Sequence, residues 1–181
     1  MKLVLAAERS HIKIRTFAEG FFSKLAHDLE LECRTMSGSA ERTGADAGTV
    51  TVEVPVAGIE VSGVLKDGHV DRSSPTGFER KEILSKMRKE VFHAKSNDSA
   101  SVRAVATFES GTARVRVVAP NGREVARDVR FDSKDGTDVR VSGSFPLSLQ
   151  AFGSDVIKGP MNAFRVKDGV ELVFDFVFVP A

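Results

Sequence analysis

From Gly169 to Pro180 the chain closes on a run that suits only a β-strand buried on one side. Its even positions, Val170, Leu172, Phe174, Phe176 and Phe178, are large and apolar, while its odd positions run Glu171, Val173, Asp175, Val177 and Val179. Successive side chains on a strand point to opposite faces, so the phenylalanines share one face and require a core. The odd face is itself largely apolar, so this strand needs cover on its outside as well. An unpaired edge so rich in β-formers templates aggregation, and pairing on both sides removes that hazard. A closed antiparallel barrel with this strand as its final stave provides the pairing.

The preceding sequence supplies the other staves. Leu3, Leu5, Ile12 and Ile14 read as one bent or two short amphipathic strands, followed by a turn region around Gly20 that carries Phe21 and Phe22. Leu25, His27, Leu29, Leu31 and Cys33 alternate with Ala26, Asp28, Glu30, Glu32 and Arg34, the pattern of an antiparallel strand with one wet face. The stretch 37–48 is small and polar and reads as a short strand with a loop. Val50, Val52, Val54 and Val56 share a face, and Pro55, lacking an N–H, predicts a break in the ladder at a bulge or an edge. Then the period changes. Ile83, Leu84, Met87 and Val91 form one helical stripe, which predicts a single α-helix over about residues 77–92. Ser74-Pro75 and the capping box from Thr76 to Glu79 are rival starts for it. Afterwards Val102, Ala104, Ala106 and Phe108 alternate, and Pro120-Asn121-Gly122 is the strongest hairpin signal in the chain. Phe131, Val139, Val141, Phe145, Leu147 and Leu149 continue the pattern to the closing strand. Turns at regular spacing between short alternating strands predict an all-β, up-and-down antiparallel barrel.

A chain of 181 residues fits one domain, spanning 1–181. A net charge of +1 gives no electrostatic reason to expect nucleic acid as a partner. Thirteen phenylalanines with no tyrosine or tryptophan supply interior surface without a polar handle. The single cysteine rules out an internal disulfide and carries no sign of an oxidising compartment. The first residues open like a signal peptide, but charge follows only five apolar residues, short of the about 7–15 that a secretory core needs. No stretch approaches the roughly 18 apolar residues of a membrane-spanning helix. The expectation is a cytoplasmic protein without a transmembrane segment.

Three stretches together resemble the YceI-like family of lipid-binding barrels. The first runs from Ser10-His11-Ile12-Lys13-Ile14 through Gly20 to Ala26-His27-Asp28, where Ala26 stands in place of the family's usual glycine. The second is the single helix after a valine-rich strand, with Ile83, Met87 and Val91 in its stripe. The third runs from Gly143-Ser144-Phe145 through Phe152-Gly153 to Asp168 and the closing strand. The chain departs from the family pattern at Ser96-Asn97-Asp98-Ser99-Ala100, where an aromatic-proline pair is usual. The resemblance implies an antiparallel eight-stranded lipocalin-like barrel with one α-helix. Its interior would hold a long apolar molecule of polyisoprenoid or fatty-acyl type.

An eight-stranded barrel is near the size at which side chains either fill the interior or leave room for one ligand. Val52, Val54, Ala104 and Ala106 are narrow enough to leave a tube, which Phe108, Phe145, Phe174 and Phe176 would line or plug. Interdigitated rings in a dry core are the competing outcome, since interiors are ordinarily close-packed. His27, on the face of Leu29 and Leu31, is expected as a polar group inside that tube near its mouth, where it needs a hydrogen-bond partner. Phe22, Phe152 and Met161 are expected at the rim. No histidine pair has metal-ligand spacing, and no phosphate loop, nucleophile elbow or Cys-x-x-Cys is present. Neither a cofactor nor catalysis is expected. Cys33 and His27, six residues apart on one strand, lie about 20 Å from each other and cannot form a nucleophile pair. Three readings stay open: a carrier for a long apolar ligand, a dry barrel acting as an interaction module with a homodimer as its expected state, and an enzyme at the barrel mouth.

Overall fold

A computed structural model describes residues 1–20, 26–94 and 99–181. The first three staves of the barrel are each broken in two. β1 (Lys2–Leu5) and β2 (His11–Thr16) form the first, with the short β3 (Ala18–Glu19) beyond it. β4 (Asp28–Cys33) and β5 (Ser37–Arg42) form the second, and β6 (Ala47–Pro55) and β7 (Ile59–Lys66) the third, trailed by β8 (His69–Asp71). After the helix α1 (Gly77–Lys86) come five unbroken strands, β9 (Ser101–Glu109), β10 (Thr112–Val118), β11 (Glu124–Asp135), β12 (Val139–Ser148) and the long β14 (Gly169–Pro180), with the two-residue β13 (Arg165–Val166) paired to β3 in a separate sheet. The ring runs β1-β5-β6-β9-β10-β11-β12-β14 and closes where β14 pairs with β1. Staves adjacent in sequence are adjacent in space, so this is the up-and-down barrel that the alternation and the turns predict, with the eight strands and lipocalin-like form that the resemblance implies.

Each break has a local cause. Between β1 and β2 a 3-10 turn at Ala7–Arg9 kinks the stave. Ser10, fully buried, holds the kink: its hydroxyl donates to the Ala6 carbonyl at 2.8 Å and accepts from the Val177 N–H at 3.0 Å. Val177, on the outer face of the closing strand, is buried at this crossing. β6 ends at Pro55, as its missing N–H predicts, and a 3-10 turn at Val56–Gly58 leads into β7. The second and third kinks touch there, since a Cβ on Gly58 would stand 1.8 Å from Thr35 Oγ1. Both halves of the first stave pair with β14, in register Leu5↔Phe178 and Ile14↔Leu172.

The helix begins at the capping box and not at Pro75. Thr76 accepts from the Glu79 N–H, and Glu79 Oε2 accepts from the Thr76 N–H at 2.7 Å. The Thr76 N–H first, and second the Thr76 hydroxyl, which donates to the same oxygen at 2.8 Å, hold the Glu79 carboxyl below the ordinary range. A π-helical turn at Met87–Val91 extends the helix, so it spans residues 77–91 against the expected 77–92. Its stripe of Ile83, Leu84, Met87 and Val91 packs on a core that includes Leu31, Val61, Phe152 and Val170, and so plugs one end of the barrel.

On the outer wall a charge network laces three staves. Arg15 stands in register with Glu171 on β14 and with Glu30 on β4. Its Nε donates to Glu30 Oε2 at 3.1 Å and its Nη1 to Glu171 Oε2 at 3.2 Å, while Lys13 Nζ lies 3.6 Å from Glu30 Oε1. Glu30 is only 1% exposed. Its carboxylate raises the Arg15 guanidinium above its ordinary value more than burial lowers it.

Candidate functional site

The inner face of the barrel encloses a cavity of about 220 Å³. Its shape follows from which side chains face each other. On β14 the rings form a ladder: Phe174 stacks on Phe176 at 5.2 Å between centroids, Phe176 meets Phe178 edge-on at 6.3 Å, and Phe145 of β12 tilts against Phe174 at 6.4 Å. β9 is four staves away in the ring of eight, so it faces β14 across the lumen. There β9 presents Ala104 and Ala106, with Val52 and Val50 beside them on β6. The small residues of one wall leave the space that the large rings of the other do not reach. Gly143 helps on the ring side, since a Cβ there would meet Phe174 Cζ at 2.7 Å.

Accessibility marks where the lumen is hollow. Ala104, Ala106, Phe145, Phe174 and Phe176 point inward yet are only half-buried, because space lies next to them. Below them, toward the helix, Leu31, Cys33, Val61, Phe92, Phe152 and Val170 are fully buried and form a floor. Cys33 belongs to this floor: burial pushes its thiol up, and its Sγ lies 3.3 Å from the Thr35 carbonyl. The opposite end reaches the surface between the β5–β6, β9–β10 and β11–β12 turns, where Arg42, Ala45, Asp46, Gly111, Ser133 and Asp135 join the lining.

Of the residues singled out in the sequence, Val52, Val54, Ala104, Ala106, Phe108, Phe145, Phe174 and Phe176 come together around this cavity. Leu29 and Leu31 pack in the core at its floor and do not line it. Phe22 lies outside the described residues. Three positions differ from expectation. His27 is exposed and lies outside the tube, because the ladder of its strand starts only at Asp28. Asp28 Oδ1 accepts from the Ala18 N–H at 2.8 Å at that point, and His27 sits near Glu79 at the start of the helix. Phe152 is not at a rim but buried at the plugged end, edge-on to Phe92 with centroids 6.1 Å apart. Met161 is 97% exposed on the outside, at a backbone φ of 51°. The open mouth is therefore at the end opposite to the one those residues suggested.

The lining also holds residues not singled out as candidates, chiefly Ile12, Ile14, Val102, Val115, Val141 and, at the mouth, Arg42 and Asp135. Parity was the available signal for the charged pair. Arg42 follows Ala40 on the inward face of its strand, and Asp135 follows Phe131 and Ser133 on its own. Among the described residues, no group of three or more histidine, cysteine, aspartate or glutamate side chains is placed to hold a metal ion. No described helix is long and apolar enough to cross a membrane.

Ring closure, meander topology, a helix over one end and an apolar lumen open at the other together define a lipocalin-like β-barrel with an internal cavity. Among solved structures, the crystal structure of BcnA from Burkholderia cenocepacia is similar to this chain. It superposes with a TM-score of 0.64 over 96% of this chain and 98% of that one, at 15% sequence identity, a likeness of fold. No family model matches the chain, and no curated protein matches it in sequence.

Proposed function

We propose that this barrel binds or sequesters, without catalysis, one long apolar molecule of polyisoprenoid or fatty-acyl type. The observation that carries the reading is the 220 Å³ apolar lumen between the β14 rings and the β9 alanines. Protein interiors are otherwise packed like organic crystals, so a hollow of this size is a cost that an occupant recovers. The lumen is lined almost wholly by apolar side chains, with its charged residues confined to the open end. A flexible chain threads such a space tail first, whereas a compact polar molecule finds no hydrogen-bond partner in it.

Native mass spectrometry of the purified protein tests this directly. The expected result is a discrete added mass in the range of a long-chain lipid, lost on denaturation and recovered by organic extraction. Added long-chain alcohol or isoprenoid alcohol at about 100 times its Kd should raise stability by about 2.7 kcal/mol. A protein that carries no adduct, takes up neither probe and shows no thermal shift is a dry module, and the carrier reading fails.

A further inference from the structure

Among the described residues, three charged side chains, all at one end, interrupt the apolar lining: Arg42, Asp46 and Asp135. Arg42 ends β5 and Asp135 ends β11, and these strands stand four apart in the ring of eight, facing each other across the mouth. Arg42 Nη1 donates to Asp135 Oδ2 at 2.9 Å, and Nη2 donates to the Ala45 carbonyl. The guanidinium thus bars the opening from one side to the other. The Arg42 side chain is 20% exposed and that of Asp135 56%, so the guanidinium is held against the rim while the carboxylate faces solvent.

We propose that this crossbar is a head-group site that selects long-chain molecules ending in an uncharged polar group, such as an alcohol or an amide, over the same chain ending in a carboxylate or phosphate. The inference rests on the carrier reading, since it concerns the polar end of whatever occupies the lumen. A chain inserted tail first leaves its head among Arg42, Asp46 and Asp135. Deeper in, a polar head has no partner and its burial is unfavourable. The three side chains sum to a charge of −1. On the outer side of the rim Arg9 is paired with Asp138 and Arg140 with Asp175, so among the described residues Lys134 is the cation of that outer group without an ion pair.

An anionic head can reach the same guanidinium, but it adds a like charge to a mouth that already holds the carboxylates of Asp46 and Asp135. An uncharged head meets no such repulsion. A guanidinium has five N–H donors, and two carry the bonds just described, so an acceptor on the ligand can use another while the crossbar stays. A hydroxyl or amide N–H can in turn donate to a free lone pair of Asp46 or Asp135.

The test is displacement of a pyrene-labelled long-chain alcohol by hexadecanol, hexadecanamide and hexadecanoate at neutral pH. The expected result is that the alcohol and the amide compete at least about tenfold better than the carboxylate. Carboxylates are also harder to desolvate in general, so the deciding measurement is the change on substitution. Asp135→Asn should narrow that ratio severalfold by removing one negative charge. Asp46→Asn, in an exposed turn, should do the same if the first variant is poorly folded. A wild-type preference for hexadecanoate, or a ratio that neither variant changes, overturns the head-group site and leaves the carrier reading standing. Failure of the labelled alcohol itself to bind overturns the carrier reading instead.

Discussion

Ala104→Phe is expected to abolish ligand uptake while leaving the barrel folded and at least as stable as the parent. Ala104 sits opposite Val52 on β6 and Val117 on β10, and its side chain looks across the lumen toward the Phe174 and Phe176 rings. A phenylalanine there projects into the space that the apolar chain is proposed to occupy. In a core already packed to crystal density, such an enlargement costs about 1–3 kcal/mol. In a hollow lumen the added ring instead removes apolar surface from water and gains contacts, so the unfolding free energy should hold or rise by about 1 kcal/mol. Binding of a long-chain probe should fall by about 100-fold or more. The two readouts together separate the alternatives. Chemical denaturation showing a clear loss of stability means the interior is already full. Retained binding with retained stability means the ligand goes elsewhere.

Arg15→Leu is expected to destabilise the fold by about 3 kcal/mol, independently of any ligand. Glu30 is nearly inaccessible, its closest partner is Arg15 Nε, and its Oε1 has no hydrogen bond among the described residues. Removing Arg15 leaves that carboxylate buried with only Lys13 at 3.6 Å. The double variant Arg15→Leu/Glu30→Leu should be more stable than Arg15→Leu alone, because it removes the stranded charge along with its partner. Urea denaturation of the two single variants and the double decides it. Simple additivity would show that the pair is not energetically coupled.

The arrangement of the wall was largely legible before any coordinates. Alternation along β14, β9 and β6 assigned the inward faces, since side-chain period is a local property of a strand. Pro55 announced the break in the third stave because a missing N–H ends a ladder wherever it falls. The stripe from Ile83 to Val91 and the Thr76–Glu79 capping box placed the helix to within a residue at each end. The pairing of small residues on one strand with rings on another also suggested a tube. His27 shows the limit of such reasoning. Alternation says on which side of a strand a residue lies, but not where hydrogen bonding to the neighbouring strand begins, and His27 falls one residue short of it.

What the sequence by itself determined, then, was a meander of two-faced strands with one helix and an apolar inner surface. Each of these depends on residues within a few positions of one another. Only the tertiary structure decided that the helix plugs the end that His27 and Phe152 had suggested as the mouth, that Ala104 faces the Phe174–Phe176 ladder, and that Arg42 meets Asp135 from 93 residues away. The reason is closure. Which residues stand opposite each other across a barrel depends on the number of staves, their tilt and their register taken together, and no local stretch of chain carries that information.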